Sequence, residues 1–278
     1  MDFFFFFDLS SHSQVTLRSL QFFTADVEAL YTNINVSAAI EDTMEFAKEN
    51  RKSICTLGFK LSDIHQLLLE TLGNSYFVYN KTVYLQLQGL FMGSNPAPLL
   101  ATVKMWKLEK NSVYVDLRIT MPTYGRFYDD LYGATTNSRR AQLLLNRIEQ
   151  SDQDELIKLT LDFPPDKSAY TPYLNTEVRI CEDGSVDTRL FRKPQKKLLT
   201  LHSNSHHSAG TKQATVLSMY HTAESVSSNE QNIVYSCAMV DKLLLNNGYT
   251  EKVLKNIREK SKNKKKSTNK QKDQQGNY

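Results

Sequence analysis

Apolar positions recur along this chain at two spacings, and the changes between them mark its elements. Residues 21–27, with Phe22, Phe23, Ala25 and Val27 apolar, read as a strand entering a turn. Helical spacing follows, with Ile40, Met44 and Ala47 on one stripe, Phe46 beside it, and Asn35 or Ser37 placed to cap it. A second helix runs from a Ser62 or Asp63 cap through Leu72 and stops at Gly73. Residues 75–79 and 82–87 alternate around Asn80-Lys81, which is a hairpin pattern. After Gly93-Ser94 a long helical stretch passes through Leu99, Val103, Trp106 and Leu108, with Pro96 and Pro98 early, where a first turn tolerates them.

Residues 123–127 and 131–135 flank Tyr128-Asp129-Asp130, predicting a second hairpin with acids at its tip. An amphipathic helix over 138–148 and a strand over 156–163 come next. Residues 173–181 and 185–191 predict two strands turning at Asp183-Gly184. From Lys212 the spacing is helical again, through Val216, Met219 and Tyr220 and then from Ile233 to Leu245, with Gly248 as a C-terminal cap. This order predicts an α+β fold, a mostly antiparallel sheet backed by helices, followed by a C-terminal helical appendage. The expected divisions are a weakly structured N-terminus over 1–20, a main domain over 21–195, the appendage over 196–258 and a disordered basic tail over 259–278.

Net charge is +4, but it is unevenly placed. From residue 251 onward ten Lys or Arg face three acids, so this end carries +7 and leaves −3 for everything before it. A body that gripped a nucleic-acid backbone along its whole length would be basic throughout. The tail reads as a solvated terminus, or more sharply as a non-specific nucleic-acid contact or nuclear address. Cys55, Cys181 and Cys237 are scattered, which points to a reducing compartment, nuclear or cytoplasmic, without a disulfide framework. The apolar run Phe3 to Phe7 is short and flanked by Asp2 and Asp8, so it fails as a signal peptide, and no stretch reads as a membrane span. His202, His206 and His207 have no cysteine at zinc-ligand spacing and read as loop residues. The helix–turn–helix look of 212–247 reads as packing.

Asp26 and the pair Asp129-Asp130 each end a short apolar or aromatic run. Strand ends of this kind can hold carboxylates close enough to share metal ions, as two-metal phosphoryl transfer requires. A double Asp at a hairpin tip also has a purely local reason, since Asp favours turns.

The ordered set of motifs goes further. Asp26-Val27-Glu28-Ala29-Leu30-Tyr31-Thr32-Asn33-Ile34, then Gly89-Leu90-Phe91-Met92-Gly93-Ser94-Asn95-Pro96-Ala97-Pro98, then Arg126-Phe127-Tyr128-Asp129-Asp130 occur in that sequence. They are followed by Tyr173-Leu174-Asn175, Leu190-Phe191-Arg192-Lys193-Pro194 and Asn247-Gly248-Tyr249. Together these segments resemble the reverse transcriptases of Penelope-like retroelements over about residues 20 to 258. Phe91, Asn95-Pro96-Ala97 and Asn175 depart from that family's usual residues.

The resemblance implies an RNA-directed DNA polymerase palm with the start of a thumb. It implies Asp26 and Asp129 as principal metal ligands, Asp130 as a second-line acid and the Val27 carbonyl as a further ligand. The ions would be two Mg²⁺, with Mn²⁺ as a substitute. The partners would be an RNA template, a DNA primer and deoxynucleoside triphosphates. Tyr31 would lie under the incoming sugar and exclude a 2′-hydroxyl. Gly93 and Ser94 would let the backbone approach template and nucleotide. Lys167 would protonate pyrophosphate, and Arg192 and Lys193 would meet a primer phosphate. About two dozen residues precede Asp26, too few for the fingers subdomain of such enzymes, so weak or undetectable activity of the chain alone is expected. The alternative expectation is a non-catalytic nucleic-acid-binding remnant acting through the basic tail and the helical appendage.

Overall fold

The computed structural model describes residues 19–113, 121, 123–194 and 199–259. The expected N-terminal segment up to residue 18 and the basic tail beyond 259 therefore lie outside the described residues. Leu20, placed in that weak N-terminus, is buried. The chain divides into two compact units, residues 1–171 with 182–184, and residues 172–181 with 185–278.

The first unit runs β1 (Gln21–Val27), α1 (Leu30–Asn33), α2 (Val36–Glu49), α3 (Leu61–Gly73), β2 (Tyr76–Tyr79), β3 (Thr82–Leu85), α4 (Ala97–Ser112), β4 (Thr123–Phe127), β5 (Asp130–Thr135), α5 (Ser138–Gln150) and β6 (Leu159–Asp162). Its centre is an antiparallel sheet in the order β4–β5–β1–β6. β1 is buried on both faces, from Phe22 to Ala25 and again at Val27. Phe22 stacks on Tyr132 and Phe23 on Phe163, with ring centroids 6.1 and 6.4 Å apart. Phe23, Ala25 and Val27 join Ile40 and Met44 of α2, Leu100 and Met105 of α4, and Leu145 and Ile148 of α5 in one core.

Local chemistry sets the element ends. Asn35 caps α2 by accepting from Ala38 N–H, and Asn137 caps α5 by accepting from Arg140 N–H. α3 starts at Leu61, earlier than a Ser62 or Asp63 cap implies, because Asp63 reaches back to accept from Lys60 N–H. β6 is shorter than the apolar run over 156–163, since the Leu156 and Ile157 N–H groups donate to Asp152 and cannot join the ladder. The β2–β3 hairpin turns through Asn80 and Lys81, both left-handed, which matches the right-handed twist of paired strands.

The second unit gathers most of β7 (Thr171–Tyr173), then β8 (Thr176–Ile180), β9 (Val186–Leu190), α6 (Ala209–Ser225) and α7 (Glu230–Asn246), followed by helix over 251–259. The strand expected over 173–181 is two strands, because Leu174 takes a left-handed turn at φ 54°. β7, β8 and β9 form their own sheet, and the chain passes from the first unit to the second between Thr171 and Pro172. The Asp187 carboxylate on β9 accepts from Asn229, Asn232 and Ser228 at the start of α7, and from Arg179 on β8. Asn247 accepts from Thr200 N–H and Tyr249 donates to the Leu201 carbonyl, so the late Asn-Gly-Tyr segment fastens the approach to α6. Among the described residues no helix is long and apolar enough to cross a membrane.

Candidate active site

The sheet register brings the two acidic segments together. Asp26 is the Cα partner of Asp130 across β1 and β5, and Val27 N–H donates to the Asp129 carbonyl at 3.1 Å. Direct cross-strand partners in an antiparallel pair share a face, so Asp26 and Asp130 project to the same side. Asp26 and Asp129 are exposed and Asp130 is half-buried. Asp26 interrupts an otherwise buried strand end. On the far side of β1, Thr160 of β6 is the partner of Asp26 and donates its hydroxyl to Glu28, which adds a carboxylate to this edge that the sequence did not single out.

Tyr31 lies on α1, just past the turn that leaves β1, half-buried against the core. Burial, then the charge of Asp129, then Tyr128 push its phenol pKa up, which places the ring within the field of the acidic hairpin. Its carbonyl accepts from Leu90 N–H at 2.6 Å. Gly89, at φ +81°, sits so close that a Cβ would come 2.7 Å from Thr32 Cα. Only glycine fits there, and sequence reasoning quoted this residue without assigning it a role. Gly93 needs its glycine for conformation, at φ +115°, with nothing nearer to a Cβ than the Phe91 ring at 3.7 Å. The Ser94 hydroxyl is buried without a hydrogen-bond partner among the described residues.

The hairpin that carries Asp129 is tied to α4. Arg126 donates to both carboxylate oxygens of the buried Glu109 and to the Tyr128 carbonyl. Nothing in the sequence marked Glu109, which lies 17 residues earlier on a helix.

The remaining expected residues fall elsewhere. Lys167 is exposed in the turn after β6, where Asp166 accepts from Ser168 and Ala169 N–H. Arg192 and Lys193 belong to the second unit. They line a cleft of about 320 Å³ with Asn175, Phe191, Met219 and Thr222. The Tyr173-Leu174-Asn175 and Leu190–Pro194 motifs meet there, and among the described residues no acid lines the cleft.

Among the described residues no three His, Cys, Asp or Glu side chains close on one point as a metal-binding group. The acids lie at two adjacent strand ends, with Asp26 and Asp129 exposed there. Their donor chemistry, carboxylate and carbonyl oxygen only, fits a hard ion such as Mg²⁺, which is held by one or two carboxylates with water and phosphate completing the shell.

Comparison with known proteins bears on the fold. The family described as "Animal helix-turn-helix domain" matches residues 199–259. Comparison with curated proteins yields no match. Among solved structures, telomerase from Candida albicans, in complex with the TWJ fragment of telomeric RNA, is 12% identical with a TM-score of 0.55, over 86% of this chain and 40% of that one. Apo telomerase from Candida tropicalis is 13% identical with a TM-score of 0.50, over 84% of this chain and 41% of that one. The chain thus spans about two fifths of the telomerase chains it resembles. At this identity the likeness concerns the fold alone: the described α+β architecture is reverse-transcriptase-like.

Proposed function

We propose that this chain carries the palm and part of the thumb of an RNA-directed DNA polymerase from a Penelope-like retroelement. The observation that carries the reading is the Asp26–Asp130 register with the Val27–Asp129 hydrogen bond, which sets two acidic strand ends side by side within a reverse-transcriptase-like fold. Asp26 and Asp129 would hold two Mg²⁺, helped by Asp130 and the Val27 carbonyl. Bound there, such ions would supply activation of the primer 3′-hydroxyl and neutralisation of charge on the departing pyrophosphate.

The chain's own groups do the positioning. Tyr31, close enough to feel Asp129, would set its ring under the incoming sugar and exclude a 2′-hydroxyl. Gly89 presses the segment that leads to Gly93 and Ser94 against the Tyr31–Thr32 backbone, so both motifs would face one nucleotide. The unpartnered Ser94 hydroxyl would find its acceptor on template or nucleotide. Lys167 would donate a proton to pyrophosphate, and Arg192 and Lys193 would meet a primer phosphate. The template would be RNA, in keeping with the telomeric RNA bound by the Candida albicans telomerase.

The test is primer extension by the purified chain on an RNA template with deoxynucleotides and Mg²⁺. Slow extension that disappears in Asp129→Ala is expected. Absence of any Asp129-dependent extension would contradict the reading.

A second reading, a nucleic-acid-binding remnant, is favoured by the helix-turn-helix match and by the acid-free cleft. Arg192 and Lys193 form no ion pair among the described residues, unlike Arg126, Arg179 and Arg189. The first turn of α7 is occupied internally, because Asn232 is buried and donates to Asp187 and the Thr188 carbonyl. This reading expects salt-sensitive binding that survives Asp26→Ala and falls in Arg192→Ala/Lys193→Ala or on removing residues 260–278. Binding untouched by both changes would exclude it.

A further inference from the structure

The turn that presents Asp129 is in a costly conformation. Tyr128, immediately before it, has φ +55°, a region that bulky L-residues avoid. Such a conformation persists only where surrounding groups hold it. Here the holder is one guanidinium. Arg126 Nη1 donates to the Tyr128 carbonyl at 2.7 Å, while Nε and Nη2 donate to Glu109 Oε1 and Oε2 at 2.7 and 3.0 Å. The Tyr124 hydroxyl adds a second donor to Glu109 Oε1 at 2.7 Å. The Arg126 and Glu109 side chains are 9% and 4% exposed, so the pair is shielded from water and from salt.

The geometry uses what only arginine offers. Its planar fork binds a carboxylate with two parallel N–H groups and keeps a third for the backbone carbonyl. A lysine ammonium at this site could keep the charge opposite Glu109 but could not also hold the two-point geometry and the Tyr128 carbonyl. Glu109 itself sits near the end of α4, the helix that begins three residues after Ser94. One rigid helix therefore sets both the segment after Gly93-Ser94 and the height of the acidic turn.

A neighbouring ion pair provides the contrast. Lys104, also on α4 and also buried, pairs with Asp152 at 2.9 Å, and neither residue belongs to the β4–β5 hairpin. Both pairs stabilise the unit, but only the Arg126–Glu109 pair reaches the turn.

We propose that Arg126 and Glu109 are positioning residues for Asp129, holding the Tyr128–Asp129 peptide in the left-handed turn that aims the carboxylate at a divalent cation. This inference rests on the metal-site reading above. The test is Mn²⁺ binding by the purified full chain, followed as loss of the free-ion electron paramagnetic resonance signal. Wild type, Asp129→Ala, Arg126→Lys and Lys104→Met are compared, with circular dichroism and thermal unfolding on each.

Arg126→Lys should stay folded yet bind Mn²⁺ about tenfold or more weakly, the usual consequence of removing an outer support of a metal ligand. Lys104→Met should lower the unfolding midpoint while its folded form binds Mn²⁺ as wild type does. If Arg126→Lys does not fold, Glu109→Asp, one methylene shorter with the charge kept, is scored in its place. Wild-type affinity in the folded positioning variant overturns the proposal, as does an equal loss in Lys104→Met. Wild-type protein that shows no Asp129-dependent Mn²⁺ binding removes the metal-site reading and the proposal with it.

Discussion

The two hairpins of the first unit share a sequence pattern and differ in almost everything else. β2–β3 and β4–β5 both set two short strands around a turn that uses left-handed residues. In the second hairpin β5 pairs with β1 and buries Leu131 and Ala134 in the sheet, while Arg126 of β4 is braced by Glu109 of α4. β2–β3 pairs with nothing further among the described residues and leaves Tyr76, Val78, Tyr79 and Val83 more than half exposed. A two-stranded hairpin is marginal in water, and a third strand or a packed layer makes it rigid. Alternation specifies a strand, but a neighbouring layer decides whether that strand can hold a functional group at a fixed place.

Breaking the braced hairpin should have the largest effect. Glu109→Gln leaves the Arg126 charge buried without its partner, which should cost about 3–5 kcal/mol in urea unfolding, read from the single tryptophan, Trp106, on the same helix. Asp152→Asn at neutral pH should cost on the order of 3 kcal/mol by the same measurement, because it strips the buried Lys104 of its closest partner. The pH dependence sharpens this case. Burial alone would raise the Asp152 carboxyl pKa, but the Lys104 hydrogen bond, the Ile157 N–H, the Lys104 charge and the Leu156 N–H outweigh it and hold the group below its ordinary value. Its folded pKa lies below the unfolded value of about 3.9, so its contribution is complete above that pH and is lost as pH falls through the folded value. The gap between wild type and Asp152→Asn should therefore persist at pH 5 and narrow below pH 4.

Gly89→Ala ranks next, at about 1–3 kcal/mol, since it forces a side chain into a left-handed backbone against Thr32. The smallest effect belongs to the free hairpin: Val78→Thr should change stability by less than about 0.5 kcal/mol. Amide hydrogen exchange compares the hairpins directly. Residues 76–85 should exchange well before 131–134, and equal protection would erase the contrast.

Much of this was legible in the sequence, and for identifiable reasons. Phe22, Phe23, Ala25 and Val27 mark β1 in the sequence, so the strand with Asp26 near its end stood out. Asn35 acts through its side chain on a backbone N–H three residues on, and Asn80-Lys81, Pro96 and Gly248 act through their own backbone; local chemistry of that kind survives without tertiary context. The order of the predicted strands and helices was enough to expect the α+β architecture.

What stayed hidden was set at a distance. The left-handed Leu174 that splits β7 from β8 is an ordinary apolar residue in sequence. Asp152 shortens β6 by capturing two N–H groups that a propensity reading gives to the ladder. Glu109 and Arg126 meet only after the chain returns from α4 to β4, and the exposure of β2–β3 depends on a layer that alternation cannot announce. The grouping of β8 and β9 with the C-terminal helices follows from Asp187 anchoring α7, a bond between residues more than forty positions apart.

The central claim is that Asp26 and Asp129 serve one metal site at adjacent strand ends. A double-substitution cycle measures this directly, with Mn²⁺ affinity determined for wild type, Asp26→Ala, Asp129→Ala and the two combined. The account predicts that either single change removes nearly all of the binding, so the pair together loses little more. Independent, additive losses, or wild-type affinity in either single variant, would contradict it.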